Sequence, residues 1–330
     1  MNKSVPQKLT ILSSFYNVAQ FIPNCIAMLK NQTNADFRVI MVDDGSTDES
    51  YKICLDAIGD DQRFSVIRHE QNRGLGSGRI TGIENTKTEY LTYIDPDDFL
   101  APNAVENYLQ DIRTTGADYI VYDYYTSNDE KKELVTDNSK TADDLFETKS
   151  KLVSHVWHKV VKTELYSHFD YSFLSEVSFS EDLFNSINCF LNTDNVSIIH
   201  RAYYTYKYNG NSLVHNRTEK SILENIEVNK NLLQNPKLKE KPLIQKYIEE
   251  DSFHAFGQLI FPNVKNDFQK KPHFREWRNL HKECHITIPK NTSFFVRTYI
   301  FFIKKNCFFI ALLMFLILRI KGRIYYAEHN

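Results

Sequence analysis

Apolar positions in the first 125 residues alternate between short continuous runs and stretches where they recur every three or four residues. Runs at 9–14, 37–42, 64–68, 90–94 and 118–124, rich in β-branched and aromatic residues, read as strands. Between them Phe21, Ile22, Cys25, Ile26 and Leu29 fall at helical spacing, two further helices are expected over 48–58 and 75–85, and another opens at Pro102. Ser46-Thr-Asp-Glu49 has the Ser-x-x-Glu spacing of a capping box and is expected to open the second helix. Repeated βα units predict an α/β protein with a mostly parallel sheet flanked by helices. Its ligands then sit beyond the carboxyl ends of the strands.

Polar residues collect at those ends. The first strand stops on Ser13-Ser14-Phe15-Tyr16-Asn17, the second on Asp43-Asp44-Gly45-Ser46, and the run 90–94 on Asp95-Pro-Asp97-Asp98. Three carboxylates in four positions suit a hard divalent cation such as Mg²⁺ or Mn²⁺, which takes one or two protein carboxylates and completes its shell with phosphate. The plainer reading of Asp-Pro-Asp-Asp is a turn and a helix start. Of the chain's ten glycines, Gly74, Gly76, Gly78 and Gly82 lie in one stretch with Arg73 and Arg79, where backbone can approach a phosphate closely. The spacing Gly74-x-Gly76-x-Gly78, far from the first strand, excludes a dinucleotide fingerprint.

Length and charge add boundaries. A chain of 330 residues is long enough for one large or two moderate cores, and its net charge of −2 gives no global attraction to nucleic acid. Five scattered cysteines without a Cys-x-x-Cys pair, and a polar 1–7 lacking the apolar core of a signal peptide, predict a reducing, cytoplasmic setting. Residues 306–318 carry no charge but are too few to span a bilayer, which takes about 20 apolar residues. Flanked by Lys304, Lys305, Arg319, Lys321 and Arg323, they predict an interfacial segment over 294–326 that associates peripherally with the inner face of the cytoplasmic membrane. A buried helix or dimer seam is the alternative.

The ordered set Ser14-Phe-Tyr16-Asn17, Val42-Asp43-Asp44-Gly45-Ser46-Thr47-Asp48, Asn72-x-Gly74-x-Gly76-x-Gly78-Arg79 and Asp95-Pro-Asp97-Asp98 resembles the nucleotide-sugar-binding half of family 2 glycosyltransferases. The resemblance covers roughly residues 8–125 strongly, with weaker matches at Trp157-His158-Lys159 and Glu181-Asp182. It implies a GT-A fold, a nucleoside-diphosphate sugar donor with uridine as the base, Mn²⁺ or Mg²⁺, and inversion at the anomeric carbon. Carried over, Tyr16 stacks on the base and Asp44, with Asp43, hydrogen-bonds it, while Ser14, Asn17 and Gly76 shape the donor loops. Arg79 lies near the diphosphate or braces the aspartates. Asp95 lies near the ribose or metal, Asp97 near the metal, and Asp98 is a further ligand or a support. The chain departs from the family's usual pattern at Ser14, Ile80 and His158, none of them an expected metal ligand or base.

Transfer to a hydroxyl needs a base opposite the leaving diphosphate. By the resemblance that base is Asp182, with Glu181 a neighbour able to raise its pKa; otherwise Ser180-Glu-Asp merely caps the apolar helix over 183–191. Trp157, His158 and Lys159 are expected to line the acceptor, core packing being the alternative for Trp157, and His155 and His158 read as polar lining rather than zinc ligands. The tyrosine-rich 203–208 reads as a strand, and the loop beyond it offers His215 and Arg217 to the diphosphate. The domain expectation is a transferase domain over 1–215, with its donor half 1–125 and acceptor-side half 126–215, followed by a helical extension over 216–330. The resemblance implies transfer to a glycan or lipid-linked acceptor in surface polysaccharide synthesis, and the lack of a Gln-x-x-Arg-Trp motif and of a set of spanning segments predicts addition of one sugar at a time. A sugar nucleotidyltransferase would need a basic glycine-rich loop directly after the first strand, and a non-catalytic glycan-binding relative would not need all of these carboxylates.

Overall fold

Alternation along the first 125 residues becomes a run of βα units: β1 (Leu9–Phe15), α1 (Ile22–Lys30), β2 (Phe37–Asp43), α2 (Ser50–Ile58), β3 (Phe64–Arg68), α3 (Leu75–Asn85), β4 (Tyr90–Tyr93), β5 (Phe99–Leu100), α4 (Ala104–Thr115) and β6 (Tyr119–Ser127). There follow β7 (Lys132–Val135), α5 (Ala142–Glu147), β8 (Lys159–Lys162), 3-10 helices at Thr163–His168 and Ser172–Glu176, α6 (Glu181–Asn192) and β9 (Val196–Lys207). The computed structural model describes residues 7–128, 131–208 and 218–260, with 297, 298, 301 and 305. By backbone contacts the chain divides into two units, 1–216 and 217–330.

The first unit is built on one sheet in the order β3-β2-β1-β4-β8-β6-β9-β5, with β7 beside β6. Its parallel character holds among β1 to β4 and between β6 and β9, whereas β8 runs antiparallel to both β4 and β6, and β5 antiparallel to β9. The fold is therefore α/β as the pattern predicts, but the sheet is mixed outside its donor half. Register decides which residues meet: Phe15 lies opposite Asp43, Asp43 opposite Arg68, and Leu12 opposite Tyr93. All these strands thus end along one edge. Leu9, Ile11, Phe37, Val39 and Met41 are fully buried, each contributing roughly 1.5–3 kcal/mol, so the loops at that edge stand on a rigid base.

The expected capping box is not formed. α2 starts at Ser50 with Glu49 at its N-cap and no side-chain cap, because the Ser46 hydroxyl accepts from Asn17 N (3.0 Å) and holds two loops together instead. In the second unit α7 (Glu219–Leu233) and α8 (Pro242–Ile260) pack on one another, joined through a 3-10 turn at Pro236–Glu240. Among the described residues no helix is long and apolar enough to cross a membrane. Most of the expected interfacial segment 294–326, and His215 and Arg217, lie outside the described residues.

Candidate active site

The loops after β1 and β2 are tied to each other by side chains. Tyr16 is 41% exposed just beyond β1. Asn17, with a left-handed φ of 53°, accepts from Thr47 N (2.9 Å) and Asp48 N (3.2 Å) through Oδ1. Asp43 is fully buried; its Oδ1 accepts from Ser46 N (3.0 Å) and its Oδ2 lies 3.0 Å from Arg68 Nε. Asp44, also buried, accepts from Arg73 N (3.0 and 3.1 Å) and Gly74 N (2.7 Å), and His69 Nδ1 lies 2.7 Å from its Oδ1. Its carboxylate thus holds the turn that starts α3, and a base contact through Asp44 would share oxygens already in use.

His69, whose Nε2 lies 2.8 Å from the Thr81 hydroxyl, was not singled out by any sequence pattern. Only its place immediately after β3 hints at the site edge.

Glycines set how closely α3 approaches. A Cβ on Gly78 would sit 2.9 Å from both Cβ and Oγ of Ser14, and one on Gly76 would sit 1.9 Å from the carbonyl oxygen of Leu174. Both are well inside contact distance, so only glycine lets the helix lie against β1 on one side and the 3-10 turn Ser172–Glu176 on the other.

Beyond β4 the chain turns with Asp98 N bonded to Asp95 O (3.1 Å). Asp98 is buried, its Oδ2 accepting from the Tyr204 hydroxyl (2.5 Å) and its Oδ1 from Lys207 N (2.7 Å), while Asp95 N donates to the same hydroxyl (3.2 Å). Of the two roles open to Asp98, support is the one its bonds serve. Asp95 and Asp97 are half-buried. Burial, opposed by Arg79 and reinforced by Asp182 and Asp97, pushes Asp95 up to about 7; burial and then the Asp95 charge push Asp98 up to about 8. A divalent cation beside this cluster would offset its negative charge. Among the described residues no three His, Cys, Asp or Glu side chains enclose a metal alone. The donor set fits a cation held by one or two carboxylates and completed by phosphate oxygens.

α6 carries the second carboxylate pair. Ser180 at its N-cap is left-handed (φ 66°), and its side chain makes no cap hydrogen bond, so it does not act as the simple helix cap. Arg79, only 3% exposed, reaches over from α3: its guanidinium lies 3.2 Å from Glu181 Oε1, closer still to Asp182 Oδ1, and 5.6 Å from the centre of the Tyr93 ring. Of the two places the resemblance allowed Arg79, it is bound here to carboxylates, those of Glu181 and Asp182. Burial, opposed by Arg79 and reinforced by Asp182, pushes Glu181 up to about 7.

The three residues expected to line the acceptor are inside instead. Trp157, 4% exposed, stacks on Tyr204 (4.4 Å, 21°). His158, fully buried, bonds through Nδ1 to Tyr122 O (2.7 Å), and burial holds its pKa well below the usual value. Lys159 is fully buried, its ammonium donating to Val153 O (2.6 Å), His155 O and the Ser186 hydroxyl (2.7 Å). These contacts correct the expectation: a short polar-aromatic stretch looks accessible in sequence, yet packing buries it at the start of β8, where backbone carbonyls satisfy the lysine. Burial, against the pull of Asp182, brings Lys159 down to about 7.

Comparison with known proteins bears on the family and the fold. The sequence profile described as Glycosyl transferase family 2 matches residues 10–169. The protein named "Putative glycosyltransferase EpsH" of Bacillus subtilis strain 168 is 32% identical over 251 residues, 70% of this chain and 71% of EpsH. Glycosyltransferase GlyA of Streptococcus pneumoniae serotype 4 is 30% identical over 233 residues, 66% of this chain but only 33% of GlyA, so the chain spans about a third of that relative. The crystal structure of S. aureus TarS 1–349 in complex with UDP-GlcNAc superposes with a TM-score of 0.71, covering 96% of this chain and 91% of that one. At 16% identity this likeness shows the fold alone.

Proposed function

This chain belongs to glycosyl transferase family 2, and we propose that it moves one sugar, with inversion, from a uridine-diphosphate sugar to a hydroxyl of a glycan or lipid-linked acceptor. The observation that carries the proposal is that Arg79, ion-paired with Glu181 and Asp182 of α6, also lies within electrostatic reach of Asp95 in the turn after β4. A leaving group and a base have to be held close together but by different elements.

In this reading Tyr16 stacks on the base above Asp43 and Asp44, and the loops shaped by Ser14, Asn17 and Gly76 hold the nucleotide. Asp97 and Asp95 hold Mn²⁺ or Mg²⁺, with Asp98 supporting the turn. When bound, the cation stabilises negative charge on the departing diphosphate. Asp182 takes the proton from the acceptor hydroxyl as that oxygen bonds to the anomeric carbon and the carbon–phosphate oxygen bond breaks, releasing the nucleoside diphosphate. Attack opposite the leaving group inverts the configuration. The setting is assembly of a surface polysaccharide, with the enzyme peripheral at the inner face of the cytoplasmic membrane.

The test is release of nucleotide from a panel of nucleotide sugars with Mn²⁺, with and without chelator. Turnover should require the metal, and Asp182→Asn should lower kcat by about 10²–10⁴-fold, the usual share of a general base. Absence of metal-dependent turnover with every sugar, or an Asp182→Asn enzyme as fast as the parent, would overturn the mechanism.

A further inference from the structure

We propose that Arg79 is the positioning residue for Asp182, and that α3 thereby makes the base an extension of the same helix whose first turn forms the donor loop. The proposal rests on the reading of Asp182 as base. It separates Arg79 from the diphosphate, the other role open to an arginine one turn into a glycine-rich helix.

Four observations converge. The start of α3 is anchored on the donor side, since Arg73 N and Gly74 N both bond to the buried Asp44 carboxylate. One residue pair later, at Gly76, the helix lies against the backbone of Leu174 and Val177, whose carbonyl oxygens would be 1.9 and 3.1 Å from an added Cβ. That segment leads directly into Glu181 and Asp182. Arg79, a turn further on the same helix, then closes the loop by bridging both carboxylates.

The fourth observation is the backbone at the start of α6. Its N-cap residue Ser180 stands in a left-handed conformation that side chains other than glycine adopt at a cost, and its hydroxyl makes no cap bond. The ion pairs of Arg79 reach the first turn of α6 from a different element, α3. A guanidinium with both carboxylates on one side and the Tyr93 ring at 5.6 Å is buried and directed at the base. Both carboxylates are reached by one guanidinium nitrogen, Nη1, a contact that the compact ammonium of a lysine reproduces only in part.

The experiment compares full-length Arg79→Met, Arg79→Lys, Asp182→Asn and the Arg79→Met/Asp182→Asn double variant by three measurements. These are UDP binding with Mn²⁺ by calorimetry, nucleotide release from the best donor of the panel, and amide hydrogen exchange over 180–184 without ligand. Arg79→Met should leave the UDP Kd within about two-fold, lower kcat by about 30-fold or more, and speed exchange at 180–184 by about ten-fold. Arg79→Lys should recover part of the kcat, and Arg79→Met should cost no more than about two-fold on the Asp182→Asn background, because a group acting through another adds nothing once that other is gone.

A roughly ten-fold weaker UDP Kd with unchanged exchange would make Arg79 a diphosphate ligand and overturn the proposal, as would an equal loss of kcat on the Asp182→Asn background. If Arg79→Met does not fold, exchange in Arg79→Lys decides, and no increase at 180–184 overturns the proposal. If the parent enzyme turns over no nucleotide sugar, the proposed activity fails while exchange still decides the role of Arg79.

Discussion

Gly45 shows how much the donor loops depend on single residues. Its φ is +72°, and a Cβ there would lie 2.5 Å from the carbonyl carbon of Gln71, so strain and collision coincide. Gly45→Ala should destabilise the chain by at least roughly 1–3 kcal/mol, the cost of a left-handed non-glycine residue, read as a lower urea midpoint with unchanged slope. Glu181 gives a pH signature. Its pKa in the fold, about 7, is above the ordinary 4.5, so the stability it contributes is full below 4.5 and is lost as pH rises through 7. Glu181→Gln should therefore gain melting temperature relative to the parent as pH goes from 5 to 8. A difference that stays flat or falls would contradict the raised pKa of this buried carboxyl. At this scale the motifs were legible because each is contiguous: Asp43-Asp44, Asp95-Pro-Asp97-Asp98 and Glu181-Asp182 stand out as strings. Their partners were not, since Arg79 and Asp182 are separated by 103 positions and Tyr204 and Asp98 by 106.

At the scale of elements, β9 does more than complete the sheet. It pairs with the two-residue β5 through Phe99↔Thr205 and Leu100↔Tyr204, and so places the Tyr204 hydroxyl against Asp98 and the amide of Asp95. Trp157, just ahead of β8, backs that tyrosine by stacking. The carboxylate turn is thus held by β9, backed by the segment just ahead of β8, both of which arrive much later in the chain. Tyr204→Phe keeps the ring stack but leaves buried Asp98 short of a donor, at a cost of about 1–3 kcal/mol. Expected is a modest fall in melting temperature with a larger fall in Mn²⁺-dependent turnover. Equal turnover in Tyr204→Phe and the parent would show that this bond does not position the turn. The tyrosine-rich alternation of 203–208 predicted the last part of β9 but not its start at Val196, and alternation names no neighbour; pairing with β5 and β6 is a property of the sheet.

For the whole molecule, the donor edge of the first unit and the basic-flanked apolar segment near the C-terminus make separate claims. Deleting 306–330 should release the protein from membranes in a sedimentation assay while leaving nucleotide release from a soluble acceptor pair intact; unchanged sedimentation would rule out the interfacial segment. The sequence by itself determined the class of fold, the strands and helices of the donor half, and the chemical character of the site, because periodicity and clustered carboxylates are local properties. Tertiary structure decided the rest. Only the sheet order could set β8 antiparallel between β4 and β6, turn Trp157, His158 and Lys159 inward, and bring Arg79 to Asp182, since register and burial are fixed by packing between segments that no local pattern connects.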